Sequence, residues 1–188
     1  MRKLNAWLLV LTLALASCAA CAGTQPPTKL PTAQCEAPVG LVERAIDDAR
    51  GAMALPAAGA GLDIGAVPVR RMNSRQRPAS LITIGSLVIL QYDRELIEQV
   101  ICRYGYDAAV GVFAHEYGHL LDGLRDEPQT ELSADAWAGC AMAAMGGSTQ
   151  GYNAFIASLP YGGDHPPPDD RALATDAGFN ACNEALWQ

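Results

Sequence analysis

The chain has 188 residues, half of them hydrophobic, which is enough for one well-buried core and makes a single domain the starting expectation. Its formal net charge of −7 and pI of about 4.8 exclude the basic footprint of a nucleic-acid-binding protein, so no nucleic-acid partner is expected. The first element is not part of a fold. Arg2 and Lys3 make a short positive start, residues 6–16 (AWLLVLTLALA) form an apolar run, and residues 15–18 (LASC) close it. The run is too short to stay in a bilayer as a spanning helix, so residues 1–17 read as a secretory signal peptide.

Leu15, Ala16 and Ser17 ahead of Cys18 resemble the bacterial lipobox. The resemblance implies cleavage before Cys18, whose thiol and new amino group would carry a lipid anchor into the membrane. An ordinary signal peptide cut near Ala20 or Ala22 is the alternative. The residue after the cysteine is Ala19 and not aspartate, which in Gram-negative lipoproteins resembles the signal for release to the outer membrane. The expected location is therefore the outer membrane, facing the periplasm. Losing residues 1–17 removes Arg2 and Lys3 and no acid, so the charge moves from −7 to −9 (−7 − 2). Residues 18–38 hold proline, threonine and small residues without apolar periodicity, and read as a tether. Export also interprets the cysteines. In an oxidising envelope Cys35, Cys102, Cys140 and Cys182 can form two disulfides in three connectivities. Cys140–Cys182, which leaves Cys35–Cys102, is favoured, and free buried cysteines are the alternative.

Residues 39–53 (VGLVERAIDDARGAM) put Leu41, Val42, Ala45, Ile46 and Ala49 on one helical face, and a Gly/Ala/Pro loop follows through Gly65. Residues 66–72 and 80–92 (SLITIGSLVILQY) are rich in β-branched side chains, with Gly85 and Ser86 as a turn or bulge between strands. A helix over 93–105 has Asp93 as its N-cap and Gly105 as its stop. The next, over 106–124 (YDAAVGVFAHEYGHLLDGL), takes Asp107 as cap and Gly123 as end. Its apolar stripe runs through Ala109, Val110, Phe113, Ala114, Tyr117, Leu120, Leu121 and Leu124. His115, Glu116 and His119 lie on a different side and form a face of their own. Residues 141–147 read as small-residue helix packing with a glycine stop.

Two histidines four apart on a helix stack one turn apart and converge on one ion, with metal–nitrogen bonds of about 2.0–2.1 Å for zinc. Glu116, turned about a third of a turn away, misses the ion and reaches a water beside it. Hydrolytic zinc chemistry needs those parts: fixed nitrogens, an open position and a carboxylate to take a proton. A pair of surface histidines on an acidic helix is the alternative, since the five-residue pattern arises by chance in many chains.

Residues 115–119 (HEYGH) match the HExxH of the zincin metallopeptidases, and residues 130–139 (TELSADAWAG) place Glu131 four before Asp135, which resembles the ExxxD helix of the gluzincin branch. ELSADAWAGC is similar in wording to the neutral zinc metallopeptidases. By that resemblance one zinc ion is held by His115, His119 and Glu131. Asp135 would accept a hydrogen bond from a ligating imidazole, His115, and fix its orientation. Spacing gives separate support. His119 lies one turn before the expected helix end, and residues 124–130 turn the chain, with Pro128 suited to the first turn of an antiparallel helix that carries Glu131. The connection is shorter than in many gluzincins, and Asp126 and Glu127 are the competing carboxylates.

The third histidine stands in residues 161–171 (YGGDHPPPDDR), similar to a downstream His-Pro…Arg segment of the same families. His165 or Arg171 would line the cleft and steady a tetrahedral oxyanion. Alternatively Arg171 locks the C-terminal helix to the glutamate helix through Asp135 or Asp164. Tyr152 and Tyr161 are further oxyanion candidates, against the ordinary role of packing tyrosines. Residues 86–92 (SLVILQY) are either the edge strand beside the cleft, pairing with an extended peptide, or a core strand. Gly118 costs the active helix about 1 kcal/mol relative to Ala and permits close approach of the glutamate helix.

The expected fold is α+β and minimal zincin-like, spanning residues 39–188, with a small twisted β-sheet over the HExxH helix and a helical C-terminal half. The expected function is that of a zinc endopeptidase of the cell envelope acting on peptide or unfolded protein, with Glu116 as the general base. An inactive zincin-like lipoprotein that binds a partner or supports envelope assembly is the alternative. Intact Glu116 speaks for the enzyme.

Overall fold

In the computed structural model, which describes residues 37–74, 76–124, 130–160 and 165–186, the first apolar stripe becomes α1 (Leu41–Gly59). All these residues belong to one unit, Cys35–Gln188. The expected signal peptide, Cys18, Cys35 and nearly all of the tether lie outside the described residues. So do Asp126, Glu127, Pro128, Tyr161 and Asp164.

α1 buries Val42, Ala45, Ile46, Ala49, Met53 and Ala57 along one side. It runs two turns beyond the expected end and through Pro56, where a loop was expected. Burial of Met53 and Ala57 in the core, and the high helix propensity of the alanines around them, hold those turns despite the proline.

Strands β1 (Val69–Met72), β2 (Ala79–Ile84) and β3 (Leu87–Asp93) form a three-stranded sheet in the order β1-β3-β2. β1 runs parallel to β3, with Val69 opposite Leu90, and β2 runs antiparallel to it, with Leu81 opposite Leu90. Gly85, at φ 63°, makes the turn between β2 and β3. The segment SLVILQY is therefore the central strand. Its continuous hydrophobicity reflects cover on both flanks, and the edge that was expected there belongs to β2.

α2 (Arg94–Tyr104) begins where Asp93 accepts the Leu96 N–H at 3.2 Å and ends at Gly105, φ 92°. α3 (Tyr106–Leu124) follows at once. Its expected cap, Asp107, sits inside the first turn instead, and its carboxylate accepts the Ser148 N–H at 2.8 Å. The α3 stripe of Ala109, Val110, Phe113, Ala114, Tyr117 and Leu121 lies in the main core beside α1, with Arg50 of α1 donating to the Tyr117 hydroxyl at 3.1 Å.

The C-terminal half is helical: α4 (Glu131–Ala144), α5 (Gln150–Ser158) and α6 (Pro168–Leu186). The described residues thus form six α-helices and one small mixed sheet, an α+β fold. A disulfide joins Cys140 of α4 to Cys182 of α6, and Cys102 is disulfide-bonded as well. None of the described helices is long and apolar enough to cross a membrane.

Candidate metal centre

α3 presents His115 and His119 one turn apart, and their Nε2 atoms face each other at 3.1 Å. Glu131 arrives from the first turn of α4, which starts there because the Thr130 hydroxyl accepts the Ser133 N–H at 3.0 Å. Its Oε2 lies 3.6 Å from His115 Nε2, and its Oε1 lies 3.6 Å from His119 Nε2. One ligand atom from each residue falls within 4.8 Å of the other two, so the three form a group that can hold a metal ion. The spacing also suits the ion. Donors about 2.0–2.1 Å from a tetrahedral zinc stand about 3.3–3.4 Å apart, the range these separations bracket.

α3 and α4 touch tightly at Gly118. A Cβ there would lie 2.9 Å from Trp137 Cβ and 3.1 Å from Ala134 Cα. Only hydrogen at this position lets α4 come near enough for Glu131 to reach the histidines.

Behind the donors sits a buried carboxylate. Asp135, wholly inaccessible, lies 2.9 Å from His115 Nδ1, accepts the Tyr152 hydroxyl at 2.9 Å, and accepts Arg171 Nε and Nη2 at 2.6 and 2.9 Å. Burial pushes the Asp135 pKa up, but the hydrogen bonds from His115 and Arg171 outweigh it and hold the carboxyl below its ordinary value. With His115 Nδ1 donating to that carboxylate, Nε2 keeps a lone pair turned toward His119 and Glu131. Glu131 is held at about 2, first by its interaction with His119 and then, against burial, by the charges of His115 and Arg171. Burial lowers the pKa of His119, yet Glu131 and the neighbouring Glu116 and Asp122 charges raise it overall.

Arg171 is engaged with Asp135 and lies 3.3 Å from Glu131 Oε2, so it ties α6 to α4. Tyr152 is fully buried with its hydroxyl spent on Asp135, which removes it as an oxyanion group and makes it part of the same knot. His165 is the exposed member: its Nδ1 lies 3.4 Å from Glu131 Oε2 and its side chain is 51% accessible.

The donors open onto a cleft of about 850 Å³. One wall is β2, from Ala79 to Thr83, and the other side carries Phe155, Leu159 and His165. Glu116 projects into the cleft from α3, where its Oε2 accepts the Leu81 N–H of β2 at 3.0 Å. No family model, curated protein or solved structure matches this chain.

Two features of the centre escape sequence reading. The Leu81 contact is made by main chain and leaves no residue signature. Asp122, one turn beyond His119, is fully buried; its Oδ1 accepts Trp137 Nε1 at 2.9 Å and its Oδ2 has no hydrogen-bond partner among the described residues. Its place in HLLD, three residues after a histidine on one helix face, was the available signal. Glu116 and Glu131 bring two carboxylates to the cleft lining, and Arg77 and Arg171 bring two guanidiniums.

Proposed function

We propose that this chain is a zinc-dependent endopeptidase of the cell envelope, acting on peptide or unfolded protein. The observation that supports it above all is the convergence of His115, His119 and Glu131, with Glu116 beside them in a cleft along β2, an outer strand of the sheet. Two imidazoles and one carboxylate that leave a coordination position open are the donor set of hydrolytic zinc, whereas calcium and magnesium favour oxygen ligands.

Bound there, zinc supplies a Lewis acid that lowers the pKa of a water and polarises a carbonyl. Glu116 takes a proton from the attacking water on its free carboxylate oxygen and delivers it to the leaving nitrogen. Asp135 keeps His115 Nε2 turned toward the donors, and Arg171 keeps Asp135 in place. His165, exposed at the cleft, is the side chain that steadies the developing oxyanion. An extended substrate pairs with the outer edge of β2 through main-chain hydrogen bonds, which gives binding with little choice of sequence. Export by the signal over residues 1–17 and a lipid on Cys18 place the enzyme at the outer membrane, facing the periplasm.

The test is zinc analysis of the purified full chain together with hydrolysis of casein. One zinc per chain and cleavage are expected. Glu116→Gln should retain the zinc and lose nearly all hydrolysis, because an amide of the same shape takes no proton at neutral pH. A wild-type chain that binds zinc and leaves casein intact would favour the inactive, partner-binding lipoprotein instead. Cys18→Ser should release the chain from the membrane fraction.

A further inference from the structure

Pro78 O accepts the Asp93 N–H at 2.8 Å, and in an antiparallel pair such bonds recur at every second residue. Ser80, Ile82 and Ile84 therefore turn their main-chain groups toward β3. Ala79, Leu81 and Thr83 turn theirs outward, along the cleft. The three outward positions are not equivalent. The Leu81 N–H is already given to Glu116 Oε2, while Thr83 N–H makes no hydrogen bond among the described residues.

We infer that the main-chain N–H of Leu81 is the positioning group for the general base, and that it also sets substrate register, with the peptide bond to be cut opposite Leu81. This rests on the peptidase reading. A carboxylate has two oxygens. Fixing Oε2 on a rigid strand leaves Oε1 as the one that meets the water, and removes the freedom of a long side chain to swing away. The same bond breaks the ladder offered to substrate. A peptide strand laid on β2 gives a carbonyl to each outward N–H, but at Leu81 that donor is taken. The substrate carbonyl at that register has no partner on the strand and is the one left free for the ion that His115, His119 and Glu131 would hold. Its neighbours pair at Ala79 and Thr83, each about 6.6–6.8 Å along the strand.

The experiment replaces the amide N–H by an ester oxygen at residue 81, and separately at residue 83, in the full zinc-loaded chain. Each replacement keeps its side chain. Neither N–H bonds to β3, so the sheet and the zinc content should be kept in both; the ester at 83 should melt as wild type does, and the ester at 81 somewhat lower, since it loses the bond to Glu116. With an unstructured fluorogenic peptide that the wild type cleaves, the ester at 81 should lower kcat about 10–100-fold with KM nearly unchanged, since a hydrogen bond to a charged group is lost. The ester at 83 should raise KM and preserve kcat. In the metal-free chain, Glu116→Ala should move the Leu81 amide proton resonance upfield. An ester at 81 that raises KM and preserves kcat would show the N–H serving substrate, overturning this inference while leaving the peptidase reading intact. A zinc-bound wild type without hydrolysis would remove both.

Discussion

Asp135 carries the heaviest burden of any single residue. A fully buried carboxylate is tolerable only with its charge matched and its lone pairs occupied, and here an imidazole, a phenol and a guanidinium do both. Asp135→Ala strands Arg171, itself 8% accessible, so urea unfolding of the metal-free chain should show a loss of about 3–5 kcal/mol. Zinc titration of the same variant should show about 10–100-fold weaker binding. Glu131→Ala, by contrast, removes a donor. Tight zinc binding should disappear, while Glu127→Ala should leave it unchanged; the reverse result would move the third ligand into the 124–130 connection. Acid adds a further expectation for the metal-free chain. Glu131 is held at about 2 and Asp135 is also lowered, so both take up protons in the unfolded chain before they do in the folded one. Their stabilisation is complete above about pH 5 and is lost as pH falls toward about 2. His119, with a raised pKa, acts in the opposite sense: its contribution is present below about pH 6.5 and fades as pH rises through the folded value. Urea midpoints should therefore be highest near pH 5–6. Equal midpoints at pH 3 and pH 6 would contradict the ion-pair account.

Elements meet at tolerances finer than a methyl group. Where α3 crosses α4, Gly118→Ala would gain about 1 kcal/mol of helix propensity and cost about 1–3 kcal/mol of overpacking against Trp137 and Ala134. The steric term should win, since Ala134 Cα is backbone and yields only if α4 moves. Calorimetry should record a lower melting temperature, and zinc titration weaker binding, because Glu131 withdraws with its helix. Between β2 and α3 the packing is joined by a hydrogen bond from the Leu81 N–H to Glu116.

For the whole molecule, the centre depends on three helices: α3 brings the histidines and Glu116, α4 brings Glu131, and α6 the arginine that holds Asp135. The α4–α6 contact is nearly backbone to backbone, since a Cβ at Gly139 or Gly178 would strike the main chain of the other helix. Cys140–Cys182 fastens the same pair, closing a segment with a separation of 42 residues. Replacing both cysteines by serine should lower stability by about 2–4 kcal/mol in chemical unfolding. Zinc stoichiometry should remain one, because Glu131 and Asp135 occupy the other end of α4. Chelation should lower the melting temperature of the wild type, as binding energy at the centre is also folding energy.

Much of this was legible along the chain because it depends on neighbours within a turn or two. The Asp93 cap, the Gly105 stop, the α3 stripe and the separate face of His115, Glu116 and His119 follow from helical period and capping alone. The ELSAD resemblance pointed to Glu131 and Asp135, and Gly118 announced a close approach. Other features answer to contacts far apart in sequence. Pro56 stays helical because Met53 and Ala57 are buried by the rest of the core. SLVILQY reads equally as an edge or a centre until β1 pairs on one side and β2 on the other. Asp107 looks like a cap for its own helix, but the loop before α5 supplies a better-placed N–H. Arg171 had two carboxylates to choose from, and Tyr152 two roles; the packing of α4, α5 and α6 brought both onto Asp135. Periodicity and caps are short-range properties of the chain, whereas strand order and the choice among polar partners depend on which surfaces the core buries together.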